Sequence, residues 1–234
     1  MRYQSNLRAP DLRPQFAATT EWRVRDWSMG HDIPSDKEFE PECGFLSDDE
    51  AAILHNIVQA VGGRWLDIGA RFGWSTAHIA LASLSVHAVD HALRLAAFAH
   101  RFETNMERFW QHLDEYHGHK ALKFFAYEQG KFAGVMIDGD HDRPQPLNDA
   151  CCSLAHLEPR GAIVFHDFWG RPIQEGVEYL IQQGLKCRVY NTPAGMAVCW
   201  RGEFTPPDHV PDPDVNWSEI RKGRAPLFDF GRTI

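Results

Sequence analysis

No apolar run in this chain approaches the roughly 20 residues that a membrane-spanning helix needs, so a membrane partner is not expected. The first residues offer Arg2, Arg8, Asp11, Arg13 and two prolines without an apolar centre, unlike a secretory signal. Cysteines are few, namely Cys43, Cys151, Cys152, Cys187 and Cys199, and none has C-x-x-C spacing. An odd number with no framework pattern predicts reduced thiols and a cytoplasmic protein. A basic excess is missing too: 24 Lys and Arg stand against 32 Asp and Glu, a net charge of −8. Nucleic acid is therefore not the expected partner, since its backbone calls for a clustered cationic surface. There is no internal repeat and no low-complexity tract. What is present, 44% hydrophobic and 24% charged residues over 234 positions, is the composition of a globular domain with a substantial core.

The chain divides by pattern into an N-terminal arm or lid over 1–43, a domain over 44–202 and an extended tail over 203–234. Prolines punctuate both ends, and Trp22, Trp27, Trp217, Leu227, Phe228 and Phe230 are available to dock on the domain or on a second copy. That leaves room for a homo-oligomer.

Ser47 and Glu50 have capping-box spacing ahead of a helix to about Val61, which Gly62-Gly63 ends. Arg64 to Ile68 reads as a strand, a glycine loop follows, and a helix runs from Trp74 to Leu84. Ser85 to Asp90 is a second strand. The spacing of Leu95, Phe98, Phe102, Met106, Phe109 and Trp110 predicts one long helix over about 93–113. Ala121–Tyr127 reads as a third strand, Phe132–Ile137 as a fourth and Ala162–Phe165 as a fifth, with helices near 147–157 and 173–183 between and after them. Cys187–Tyr190 and Met196–Trp200 read as a closing antiparallel hairpin. The alternation through residues 64–185 predicts an α/β three-layer sandwich, Rossmann-like, with a mostly parallel seven-stranded sheet.

Four strands end in acids: Asp67, Asp90, Asp138 and Asp167, the last preceded by His166. Such ends share one edge of an open α/β sheet, where a helix N-terminus also presents free N–H groups, and there such folds bind ligands. The loop Asp67-x-Gly69-x-x-x-Gly73 is neither the dinucleotide fingerprint nor a phosphate-binding loop. Its glycines let a ligand approach the backbone, its acid favours a cationic ligand, and Asp90 stands where an acid accepts hydrogen bonds from ribose. A nucleoside joined to an amino acid suits both. Of 13 histidines, His141 and His166 are carried by strand-end motifs, whereas His55, His87, His100, His112, His117 and His119 read as surface or structural. Cys151-Cys152 in an apolar helix reads as core, and Asp140 and Asp142 suit a loop or helix cap as well as they suit the chemistry of the site.

Asp67-x-Gly69-x-x-x-Gly73-x-Ser75, Asp90, Val135-Met136-Ile137-Asp138-Gly139-Asp140-His141 and Gly161-Ala162-Ile163-Val164-Phe165-His166-Asp167 together resemble the class I S-adenosylmethionine-dependent methyltransferases. The likeness covers roughly residues 44–200 and extends to a subgroup that methylates small molecules and sugars on oxygen, in part with Mg²⁺. It implies S-adenosylmethionine as cofactor, held by Asp67, Gly69, Ala70, Gly73, Ser75, Asp90 and Asp138. The adenine would lie near Tyr127 and Glu128. It further implies a small-molecule acceptor, with Asp138, His141 and His166 as catalytic candidates. Asp138, His166 and Asp167 match the positions of a divalent-metal set, Mg²⁺ or Mn²⁺, although an imidazole suits Mn²⁺, Zn²⁺ or Fe²⁺ better than Mg²⁺. Without a metal, either histidine serves as base. The Asn-Pro-Pro-Tyr type of motif found in many nucleic-acid amino-methyltransferases is absent after strand four. Two alternatives stand beside this reading: a metal-dependent hydroxylase-like enzyme on the same scaffold, and a non-catalytic protein that binds the cofactor.

Overall fold

The structure, a computed structural model, describes residues 46–192 and 194–210, Leu12, and the backbone of 23–24 and 42–44. The expectations for most of the arm over 1–43, and for the tail beyond 210, lie outside the described residues. Short strands β1 (Arg23–Val24) and β2 (Glu42–Gly44) pair in parallel. The domain follows as α1 (Asp48–Val61), β3 (Arg64–Ile68), α2 (Trp74–Ala80), β4 (Ser85–Val89), α3 (Ala96–Met106), β5 (Leu113–His117) and α4 (Ala121–Phe125). Next come β6 (Phe132–Ile137), α5 (Gln145–His156), β7 (Leu157–Phe165), α6 (Arg171–Gln182), β8 (Lys186–Tyr190) and β9 (Met196–Arg201).

The seven strands order as β5-β4-β3-β6-β7-β9-β8, parallel from β5 to β7, with β9 antiparallel to both β7 and β8. This is the expected Rossmann-like sandwich with an antiparallel close. Inner strands are covered on both faces and so are continuously apolar: Phe132–Ile137 is buried at every position. One face packs Ile53, Ile57, Trp74, Ile79 and Phe102 into a core; the other packs Phe124, Phe165, Phe168, Val177 and Leu180. Among the described residues, no helix is long and apolar enough to cross a membrane.

Helix α1 starts as its sequence predicts, with Ser47 Oγ accepting from Glu50 N and Glu50 Oε2 accepting from Ser47 N. Elsewhere the structure corrects the sequence. Helix α2 stops at Ala80, leaving Leu84 exposed. The single helix over 93–113 is instead a 3-10 turn (His91–Arg94), α3 and a second 3-10 turn (Glu107–His112). The break has a local cause: the Asp90 side chain accepts from Ala92 N, and Leu95 is extended at φ −92°, ψ 123°. The third strand is Leu113–His117, and the expected strand over 121–127 is the short helix α4 with Tyr127 exposed beyond it. The fifth strand, expected over Ala162–Phe165, is the longer β7 and begins at Leu157.

Candidate functional site

The carboxyl ends of β3, β4, β6 and β7 open onto a cavity of about 790 Å³. Its wall includes Gly69, Ala70, Arg71 and Ser75 from the glycine loop, and Asp90, His91 and Ala92 after β4. His119, Lys120 and Ala121 follow β5, and Asp138, His141 and Asp167 stand at the far end.

The glycine loop is held by geometry that side chains resist. Gly69 has φ +94°, and a Cβ there would lie 2.0 Å from the Asp138 carbonyl oxygen. Its N–H donates to Val89 O at 2.8 Å, while Asp138 N donates to Ile68 O at 2.8 Å, so three strand ends are pinned together. Gly73, at φ +93°, precedes α2 against Met106. Asp90 accepts from Arg71 N at 2.9 Å and Ala92 N at 2.8 Å, which fixes its carboxylate at the cavity wall.

Asp67 is fully buried one layer behind that wall. Its Oδ2 accepts from Ser75 Oγ at 2.8 Å and Thr76 Oγ1 at 2.6 Å, whereas its Oδ1 has no hydrogen-bond partner. Burial above all pushes its pKa up to about 7, Asp138 and Asp90 adding to it while the two hydroxyls oppose it. A carboxyl raised in this way contributes stability that is fully present below its unfolded pKa and lost as pH rises through about 7. Urea unfolding at about pH 5.5 and pH 8 is expected to show Asp67 costing the protein about 2 kcal/mol more at the higher pH. In Asp67→Asn that part of the pH dependence disappears; equal pH dependence in the two proteins would refute the assignment.

At the far end, Asp138, His141 and Asp167 bring one ligand atom each within 4.8 Å of the others. His141 Nε2 lies 3.5 Å from both Asp138 Oδ1 and Asp167 Oδ2. A hydrogen bond to Asp138 is the chief cause that raises the His141 pKa. Asp167 carries a positive φ of 52°, a conformation that aspartate tolerates better than most residues.

His166 is not on this wall. It is 1% exposed, with Nδ1 3.2 Å from Asp138 Oδ1 and Nε2 3.2 Å from Glu50 Oε2. Burial alone would lower its pKa, but the charges of Asp138 and then Glu50 outweigh that and raise it well above the usual imidazole value. Both of its ring nitrogens thus face carboxylates, and the histidine that brings a ligand atom to those of Asp138 and Asp167 is His141, where the resemblance implies His166. Glu50, legible in the sequence only as a helix cap, is the missed member: besides Ser47 and His166 it accepts from Ala194 N at 3.1 Å.

Tyr127 and Glu128, where the resemblance implies the adenine, do not line the cavity. Glu128 pairs with Arg64 at 3.1 Å, away from the cavity, and the segment that does line it after strand three is His119-Lys120-Ala121. Asp140 accepts from Asp142 N at 3.0 Å, as expected of a loop cap. Cys151 and Cys152 are half-buried and free.

Residues 66–168 match the family model described as a methyltransferase domain. No curated protein sequence matches the chain. Among solved structures it is similar to an O-methyltransferase from Bacillus cereus in complex with SAH, at 16% identity, 67% coverage of this chain, 82% of that one and a TM-score of 0.57. It is also similar to the O-methyltransferase TomG from Streptomyces achromogenes, involved in tomaymycin synthesis and in complex with SAM, at 13% identity, 85% and 92% coverage and a TM-score of 0.57. A methyltransferase from Geobacter sulfurreducens shares 13% identity over 68% of this chain and 80% of that one, with a TM-score of 0.56.

Proposed function

We propose that this chain, which carries a methyltransferase domain on the class I fold, is an S-adenosylmethionine-dependent O-methyltransferase acting on a small molecule. The observation that carries the reading is the continuity of one cavity from Gly69, Ser75 and Asp90 to Asp138, His141 and Asp167. The cofactor fits the first part: Gly69 and Ala70 line its wall with little bulk, an acid stands at the ribose position, and the orphaned buried Oδ1 of Asp67 lies behind the loop. O-methyltransferases among the similar structures, one with SAH and one with SAM, support the same cofactor and acceptor atom.

Bound there, S-adenosylmethionine supplies a methyl group on a sulfonium, ready for in-line displacement. Asp90 would hold the ribose of the nucleoside end, with Gly69, Ala70 and Ser75 shaping the wall beneath it. The three-residue cluster orients the acceptor at near-attack distance, where positioning supplies much of the rate. His141 takes the hydroxyl proton on Nε2, and Asp138 stabilises the imidazolium that results. Asp138, His141 and Asp167 are also the residues that would hold a divalent cation; two carboxylates and an imidazole suit Mn²⁺ or Zn²⁺ better than Mg²⁺. An acidic chain with no basic excess supports a small acceptor over nucleic acid. An odd cysteine count, with the four described cysteines free, supports a cytoplasmic setting.

Calorimetric titration with S-adenosylmethionine, S-adenosylhomocysteine and NAD tests the cofactor. Both sulfur nucleosides should bind and NAD should not. Asp90→Ala should weaken them ten- to a hundredfold, the worth of hydrogen bonds to a charged group. Unchanged affinity in that variant would sink the cofactor assignment. Transfer of labelled methyl to a panel of hydroxyl compounds, with and without chelator, then separates a metal-assisted step from one run by His141 alone.

A further inference from the structure

Among the described residues, one other group brings histidine and acidic ligand atoms within 4.8 Å: His87, Glu115 and His117, at the β4–β5 edge of the sheet. We propose that these three side chains form a second divalent-cation site, for an ion of borderline softness such as Zn²⁺, apart from the cavity at the strand ends.

The backbone assembles it. His87 and Glu115 are register partners on parallel neighbours, and His117 follows two residues later, so all three share one face of the sheet. The register shifts between Val86 and His87, where Val86 pairs with Leu113 and His87 with Glu115. Asp114 is therefore the extra residue of a bulge, and two acids oppose one histidine. Bulges of this kind re-aim side chains and recur beside functional sites.

The side chains are left with unmet bonding capacity. His87 is 6% exposed, yet neither ring nitrogen has a hydrogen bond, and His117 Nε2 is likewise buried and unbonded. Asp114 Oδ2 stands 3.0 Å from His87 Nε2, and Glu115 Oε2 stands 3.1 Å from His117 Nε2. These are close approaches without hydrogen-bond alignment. The two imidazoles lie parallel, 4° apart in tilt with centroids 6.5 Å apart, and Phe124 and Phe132 pack against His87.

A buried polar atom without a partner is costly and needs a reason. An ion would satisfy one nitrogen on each ring and a Glu115 oxygen at about 2.0–2.2 Å, with water or Asp114 completing a tetrahedron. Asp114 and Glu115 together match its charge. His117 O accepts from Asp90 N at 3.1 Å, so an ion here would also brace the strand end that leads to the cavity wall.

Metal-stripped full-length protein is titrated with ZnCl₂ by calorimetry, and bound zinc is counted after gel filtration. The wild type should hold one more equivalent than Glu115→Gln/His117→Gln, whose substitutions lie at the accessible side of the site and spare the buried ring. His87→Asn should lose the same equivalent, and zinc should raise the melting temperature of the wild type more than that of the double variant. Should His87→Asn fail to fold, the double variant decides alone. Equal zinc stoichiometry in wild type and double variant overturns the site, whether or not a sulfur nucleoside binds elsewhere.

Discussion

Glu50→Ala is expected to destabilise the folded protein by about 3–5 kcal/mol, the usual cost of deleting one partner of a buried ion pair. Glu50 is 0% exposed and His166 1% exposed, so the imidazolium left behind has no water to turn to on its Nε2 side. The same substitution removes the side-chain half of the α1 capping box and the acceptor for Ala194 N. One carboxylate therefore ties the first helix of the domain to the end of β7 and to the connection before β9. Glu50→Gln keeps an acceptor for the backbone donors and should lose less, which separates charge from hydrogen bonding. Urea midpoints for the three proteins measure both quantities. A loss below about 1 kcal/mol for alanine would mean that His166 is not cationic in the folded state.

Gly69→Ala is the second large effect, and it strikes site and scaffold together. The added methyl would stand 2.0 Å from Asp138 O, 2.4 Å from Asp138 C and 2.8 Å from Gly139 N, all backbone atoms that no rotamer change can move aside. A φ of +94° adds strain of roughly 1–3 kcal/mol for a residue with a Cβ. The β3 and β6 ends must part, and Asp138 moves with them. The expected outcome is a melting temperature lower by several degrees and sulfur-nucleoside affinity lowered at least a hundredfold, read by thermal denaturation and calorimetry. Wild-type affinity in a folded Gly69→Ala protein would remove the loop from the binding site.

These features were unequally visible in the sequence. Strands covered on both faces announce themselves as apolar runs, which is why Arg64–Ile68, Phe132–Ile137 and Met196–Arg201 were readable, while the edge strand Lys186–Tyr190 showed in its alternation, with Cys187 and Val189 buried. Leu113–His117 is an edge strand with Asp114 and Glu115 exposed, and it lacks that signal. Ala121–Phe125 has a strand-like composition, yet it forms one helical turn laid on the sheet. At the site, Asp67, Gly69, Asp90, Asp138 and Asp167 were legible because strand ends converge whatever the loops do. His166 was not: just past β7 its buried ring lies between Asp138 and Asp167 on one side and Glu50, 116 residues away in sequence, on the other. Local spacing carries no trace of a partner at that distance.

The place of β9 bears on how the protein is made. β8 pairs only with β9, so the two strands, joined by a short connection, reach the free edge of β7 together as a hairpin, through β9. Until Arg201 has left the ribosome, β8 has no partner in the sheet, and the Ala162–Phe165 stretch of β7 presents an unpaired apolar edge. The nascent chain therefore carries this adhesive edge from the emergence of Phe165 to that of Arg201, the interval in which a chaperone would protect it.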